Sequence, residues 1–116
     1  MTIKDPFAEY IVSDVLGHIP GISAKAMFGG YGIYQDGLVF AIIADDKLWF
    51  KVDETNKTDY QTAKSKPFTY KGHNDKVYEM SYWELPPEVL ENHSEIAEWV
   101  VKSVNVARAS KLKKKK

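Results

Sequence analysis

Asp36-Gly37-Leu38-Val39-Phe40-Ala41-Ile42-Ile43-Ala44-Asp45-Asp46-Lys47-Leu48-Trp49-Phe50-Lys51-Val52 is the stretch that decides the fold. Asp-Gly between apolar runs favours a two-residue hairpin, because both central residues of that turn need positive φ. Residues 38–43 are apolar at every position, too short for a stable helix and too uniform for a strand with one wet face. They read as a central strand covered on at least one side by helices. Asp45-Asp46 then turns the chain into a second strand, residues 48–52.

Working towards the N-terminus, residues 31–35 form the hairpin partner of that central strand, and residues 24–28 are strand-like, either separate or continuous with it. Before them lies a helix. Asp5 caps it, Pro6 suits its first position, and Ala8, Ile11, Val12, Val15, Leu16 and Ile19 recur at helical spacing. Pro20-Gly21 closes it. In the other direction Asp53 reads as the cap of a short polar helix reaching Lys64, anchored by Tyr60 and Ala63 and stopped by Pro67. Residues 68–71 and 77–83 form a further hairpin around Gly72-His73-Asn74-Asp75. Pro86-Pro87 starts a helical turn with Val89 and Leu90 inward, and Asn92 with Glu95 resembles a capping box. The last helix has Ile96, Trp99, Val100, Val104 and Ala107 as its buried stripe. Antiparallel hairpins with helices gathered on one face make an α+β domain, here of order α-β(3)-α-β(2)-α with about five strands. Phe40, Ile42, Leu48, Phe50, Ile96 and Val100 are expected in one shared core.

The chain has 116 residues, a single domain's length, with 44% hydrophobic and 28% charged residues. It has no cysteine, which excludes disulfides, thiolate metal sites and cysteine nucleophiles and fits a reducing, cytoplasmic setting. The longest apolar run, residues 38–44, is far below the roughly 20 residues of a membrane span. The start, Met-Thr-Ile-Lys-Asp-Pro, lacks the apolar core of a secretory signal. A net charge of zero conceals an asymmetry. Residues 108–116 hold six bases and no acid, which leaves ten bases against sixteen acids in residues 1–107. Residues 1–107 are therefore expected as the domain, and residues 108–116 as a solvated, mobile basic tail.

No motif carries recognisable catalysis. In Met27-Phe28-Gly29-Gly30-Tyr31-Gly32 the register that would begin a dinucleotide fingerprint puts Gln35 where its third glycine belongs, and a strand follows instead of a helix. These glycines read instead as a bend or bulge with close backbone approach. His18, His73 and His93 have no ligand partner at helical spacing, so no zinc pattern exists. No serine sits in a nucleophile elbow, and the adjacent carboxylates Asp45-Asp46 and Asp53-Glu54 read as solvated turns. No catalytic residue, cofactor or metal ligand is assigned.

The aromatics carry more information. They make up 13% of the chain and cluster in the strands. Alternation puts Trp49 and Phe50 on opposite faces, and Tyr82 and Trp83 likewise, so one of each pair is directed away from the main core. Edge covering or half-burial is the plain reading. The functional reading is a partner surface on a strand face or edge, drawn from Tyr31, Tyr34, Trp49, Tyr82 and Trp83, for a protein partner or a second copy of the chain. Lys111, Lys113, Lys114, Lys115 and Lys116 are the candidates for weak, nonspecific phosphate contacts. A small-molecule site where residues 27–32 meet strand residues 80–83 is the competing reading.

A family likeness runs through the same residues. Met27-Phe28-Gly29-Gly30-Tyr31-Gly32-Ile33-Tyr34, Asp36-Gly37 and Phe40-Ala41-Ile42-Ile43-Ala44-Asp45 resemble the N-terminal domain of the TfoX/Sxy proteins. The likeness continues through Leu48, Lys51-Val52-Asp53, Tyr60, Pro67-Phe68-Thr69-Tyr70, Met80-Ser81-Tyr82-Trp83, Leu85-Pro86, Leu90 and Trp99, covering about residues 26–107. The resemblance implies a compact, secretion-chaperone-like α+β domain. It also implies a part in regulating natural competence, in which family members help a cyclic-AMP receptor protein activate DNA-uptake genes, so the transcription machinery is the implied partner. Those regulators carry a second, helical C-terminal domain, whereas this chain follows the domain with one helix and lysines. The expectation is a stand-alone, non-enzymatic, cytoplasmic interaction module, without membrane attachment.

Overall fold

The structure, a computed structural model, describes residues 5–27, 30–71 and 77–114. Phe28 and Gly29 of the glycine motif, the hairpin connection expected at Gly72-His73-Asn74-Asp75, and Lys115 and Lys116 lie outside the described residues.

Helix α1 (Pro6–Tyr10) begins as its sequence dictates: Pro6 occupies the first turn and the Asp5 carboxylate accepts from the Phe7 N–H at 2.9 Å. It continues as a π-helical stretch, Ile11–Val15, closed by the Leu16 N–H on the Ile11 carbonyl. Six antiparallel strands follow: β1 (Ile22–Met27), β2 (Gly30–Gln35), β3 (Leu38–Ala44), β4 (Lys47–Lys51), β5 (Pro67–Lys71) and β6 (Val77–Glu84), with α2 (Lys57–Thr62) between β4 and β5. After β6 come α3 (Pro87–Leu90) and α4 (His93–Lys114). The sheet order is β1-β2-β3-β4-β6-β5. The α+β class is as the sequence indicates, with six strands instead of about five. Met27 pairs with Gly30, so β1 and β2 are separate strands with only positions 28 and 29 between them.

Two turns fix the meander. Asp36 and Gly37 have φ of 50° and 85°, and Asp45 and Asp46 have 53° and 57°, so both connections hold positive φ at both central residues. Gly30 is needed for a different reason. A Cβ there would meet the Ile43 carbonyl oxygen of β3 at 1.9 Å, so the β2–β3 approach depends on a hydrogen at that position. Among the described residues the positive-φ glycines are Gly21 and Gly37, and the strand irregularity falls one turn of pleat later than the glycine cluster. Ile33 pairs with Ala41 and Tyr34 with Val39, which leaves Phe40 as the extra residue of a bulge on β3.

The helices pack on one face of the sheet. Ala8, Ile11, Val15 and Leu16 of the N-terminal helical segment, Ile96, Val100 and Val104 of α4, and Ala24, Ile33, Phe40, Ala41, Ile43, Leu48, Phe50 and Trp83 of the sheet form one buried cluster. Phe40 and Phe50 pack edge to face with centroids 5.4 Å apart. Five of the six residues expected in one core are there; Ile42 is not. The bulge at Phe40 shifts the alternation, so Ile42 pairs with Trp49 on the opposite face and is half-buried.

At the helical ends, Asn92 caps α4 by accepting from the Glu95 N–H at 3.0 Å. Asp53 does not cap α2 directly. Its carboxylate accepts from the Thr55 N–H and hydroxyl and holds the turn before the helix. Helix α4 does not end at residue 107 but continues through Lys114, so residues 108–114 of the expected tail are helical.

Candidate functional site

The strand registers sort the aromatic side chains between two faces. Phe50 pairs with Trp83, and Ala41 with Phe50, on the helix-covered side. Ile42 pairs with Trp49, Trp49 with Glu84, and Lys51 with Tyr82 on the other. The helical members of the apolar core all meet residues of the first set, so among the described residues the second face carries no helix across its centre.

This open face is aromatic and cationic together. Lys25 on β1 places its Nζ 5.5 Å from the Tyr34 ring centroid, and Lys51 on β4 places its Nζ 5.7 Å from that of Tyr82. Val39 and Ile42, both half-buried, lie between these pairs. Trp49 is 8% exposed: its Nε1 donates to the Ala44 carbonyl at 3.1 Å, and Phe68 packs edge-on at 4.9 Å. Burial, and then the neighbouring Tyr34, push the Tyr82 hydroxyl above the usual tyrosine range. At one end of the face the last turns of α4 reach its rim. There Tyr34, Gly37, Leu38, Val39, Lys51, Ala107, Ser110 and Lys111 enclose a notch of about 210 Å³.

Of the five aromatics singled out as a partner surface, Tyr34, Trp49 and Tyr82 lie on the open face. Tyr31 packs half-buried against the helix-side core, and Trp83 lies inside it, 9% exposed and 6.4 Å from the Tyr60 ring. Lys111 is exposed on α4 at the notch. Strands β2 and β6 are not neighbours, since β3 and β4 stand between them, so the sheet does not join residues 30–32 to residues 80–83, the junction expected to form a small-molecule site; Phe28 and Gly29 of that motif lie outside the described residues.

Sequence spacing also missed two groupings that form only in the fold. His18 and His93 stack with centroids 4.6 Å apart, and His18 Nε2 is 3.1 Å from the His93 carbonyl. Among the described residues no cluster of three or more His, Asp or Glu side chains could hold a metal ion. The second grouping is a buried polar knot at the end of β4. The Lys51 carbonyl accepts from Asn56 Nδ2 at 3.1 Å and from Ser103 Oγ at 2.9 Å, and Asn56 Oδ1 accepts from the Asp53 N–H at 2.9 Å. Beside it the Tyr60 hydroxyl is buried with no hydrogen-bond acceptor among the described residues. Burial drives its pKa far up, the Ser103 hydroxyl moderates the rise, and the Asp59 charge adds to it. The knot ties α2 and α4 to the sheet.

Among the described residues no helix is long and apolar enough to cross a membrane. A search of curated proteins returns no match to this chain. A family model described as the TfoX N-terminal domain matches residues 14–107, from the π-helical stretch to the middle of α4. That match spans most of the chain and every strand of the sheet, and it places the protein in the TfoX N-terminal domain family.

Proposed function

We propose that this chain is a non-enzymatic regulatory module that acts by protein contact in the cytoplasm, in the manner of the N-terminal domain of competence regulators. The family is one of regulatory, interaction-type domains, which supports the coarse reading. The observation that carries it further is the open sheet face, where Tyr34, Ile42 and Tyr82 stay half-buried and, among the described residues, no helix lies across its centre. Aromatic, partly apolar faces of this kind favour protein interfaces. The partner inferred from the family is a component of the transcription machinery, and the lysines of α4 add at most nonspecific, salt-sensitive attraction to nucleic acid.

The experiment is affinity capture from the native host with the full chain and with a Tyr34→Ala/Tyr82→Ala variant, each checked for an unchanged thermal transition. A partner retained by the wild-type chain and lost by the variant supports this reading. A partner held equally by both places the contact elsewhere, and turnover of a small molecule by the purified chain would replace the reading with an enzymatic one.

A further inference from the structure

The two edges of the sheet are built differently. Strand β5 opens with Pro67 and has a register shift between Pro67 and Thr69, two features that keep a further strand from adding to an edge. Strand β1 has neither: its six residues pair with β2 in unbroken register, without proline or bulge. Lys25 is the kind of charge that guards an edge, but its Nζ lies 5.5 Å from the Tyr34 ring centroid on β2, drawn back over its own sheet. The backbone of β1 alternates in direction. The Asp36 N–H donates to the Gly21 carbonyl at 3.0 Å, and the register runs on from that pair as Ile22 with Gln35. Ser23 and Lys25 therefore bond towards β2, and the N–H and C=O groups of Ile22, Ala24 and Ala26 point out of the sheet. Among the described residues no backbone group pairs with them on that side. Ala24 is in the core beneath the helices, so Ile22 and Ala26 share its face, while Ser23 and Lys25 lie exposed on the other.

From this we infer that β1 pairs antiparallel with β1 of a second copy of the chain, joining two six-stranded sheets into one across a two-fold axis at Ala24. The inference goes beyond the reading of the open face as a partner surface and does not depend on it. The outward groups fix the register. Ile22 pairs with Ala26 of the second copy and Ala24 with Ala24, each pair exchanging both backbone bonds, which leaves Ser23 opposite Lys25. Half-buried Ile22 then lies beside exposed Ala26, and the axis itself carries only a methyl group from each copy. Sliding the strands by two residues one way would set Lys25 against Lys25; sliding them the other way would carry Lys25 past the end of the strand to Gly21. The register centred on Ala24 pairs the most residues and opposes no like charges. A second copy fits better than an unrelated extended segment because one contact satisfies both edges. Since β5 is defended, the pairing closes as a dimer instead of propagating. The two open faces then form one continuous surface, with the β2 strands that carry Tyr34 three strand spacings apart, about 14 Å.

The test is sedimentation of the full chain over a range of concentrations, with thermal melting as the check on folding. The wild-type chain should associate to a dimer as concentration rises. Ser23→Glu sets a carboxylate against Lys25 of the second copy on both sides of the axis and should tighten the dimer about three- to tenfold. Ser23→Lys should weaken it by a similar factor, and Ser23→Lys/Lys25→Glu should restore it. Ala26→Pro removes an outward N–H that β2 does not use, so it should abolish the dimer while the chain stays folded. Should that proline destabilise the strand, the Ser23 variants, changed only at exposed positions, decide the matter. A chain that stays monomeric at millimolar concentration overturns the inference. So does a dimer indifferent to the Ser23 variants, or one lost in Tyr34→Ala/Tyr82→Ala and kept in Ala26→Pro, which would place the contact on the open face. Assembly that continues past the dimer overturns it as well, since that requires a second open edge.

Discussion

Asn56→Asp exchanges one atom of a buried side chain and tests the polar knot that fastens α2 and α4 to β4. Asn56 is 2% exposed, and its amide does two things at once: Nδ2 donates to the Lys51 carbonyl and Oδ1 accepts from the Asp53 N–H. Aspartate keeps the acceptor and loses the donor, leaving a carboxylate oxygen facing a carbonyl that Ser103 still serves. Losing the hydrogen bond costs about 1 kcal/mol, and burying a charge with one N–H partner adds about 2 kcal/mol more. A chain of this length has an unfolding entropy near 0.24 kcal/mol/K, so about 3 kcal/mol lowers the transition by about 12 °C at neutral pH. The sign of the pH dependence follows from the chemistry. A protonated carboxyl can donate to Lys51 as the amide did, so the folded state raises the variant's carboxyl pKa above its unfolded value near 3.9. The folded variant then binds more protons than the unfolded one, and stability present below about pH 4 is lost as pH rises through the folded pKa. Thermal unfolding of both proteins at pH 4 and pH 7.5 is the assay, with the difference between them compared at each pH. The deficit should shrink from about 3 to about 1 kcal/mol on acidification. A deficit equal at both pH values, or a variant within about 2 °C of wild type at pH 7.5, would refute the assignment of Asn56 as a buried donor.

Three further outcomes follow from the same packing. Tyr60→Phe removes a hydroxyl with no acceptor and should be neutral or stabilising by up to about 1 kcal/mol at pH 7. Because the folded pKa of Tyr60 is raised, stability present below the unfolded value near 10 is lost as pH climbs above it. The variant should lose part of that alkaline decline in denaturant titrations; an unchanged decline would assign it elsewhere. Asp46→Gly should raise stability by about 0.5–1 kcal/mol, since glycine takes the 57° φ without strain, and a lower melting temperature would contradict the turn geometry. Phe50→Ala should cost about 3–5 kcal/mol and Ile42→Ala about 1 kcal/mol, and similar losses at the two sites would contradict their placement on opposite faces.

The turns were legible because their chemistry is local. Asp36-Gly37 and Asp45-Asp46 hold the positive φ values that their residue types accommodate best, and Asp5 and Asn92 cap the helices that follow them. Trp49 and Tyr82 could be placed opposite Phe50 and Trp83 by alternation alone. What escaped the sequence depends on the third dimension. Whether residues 22–27 and 30–35 are one strand or two is settled by their pairing with each other, Ile22 with Gln35 through Met27 with Gly30. Ser103 looks like a lapse in an apolar stripe until the Lys51 carbonyl is brought beneath it. Lys25 and Lys51 look like ordinary strand lysines, since their contact with Tyr34 and Tyr82 needs the register of neighbouring strands. The same holds for His18 and His93, which meet across 75 positions of sequence.

The bulge at Phe40 joins the core and the candidate site as consequences of one residue. Downstream of it Ala41 and Ile43 face the helices and Ile42 faces out; upstream, Leu38 packs on the core and Val39 pairs with Tyr34 on the open face. A strand in unbroken alternation, phased by Ala41 and Ile43, would turn Val39 inward and Leu38 and Phe40 outward. Phe40, now fully buried, would lose its edge-to-face contact with Phe50 and lie on the exposed side. Val39, between Tyr34 and Lys51 at the wall of the notch, would be withdrawn from it. The extra residue therefore supplies the helix side with its large ring and leaves the open side a smaller aliphatic side chain. An irregularity that serves packing on one side and shape on the other is constrained from both, and neither constraint is visible in a run of seven consecutive apolar residues.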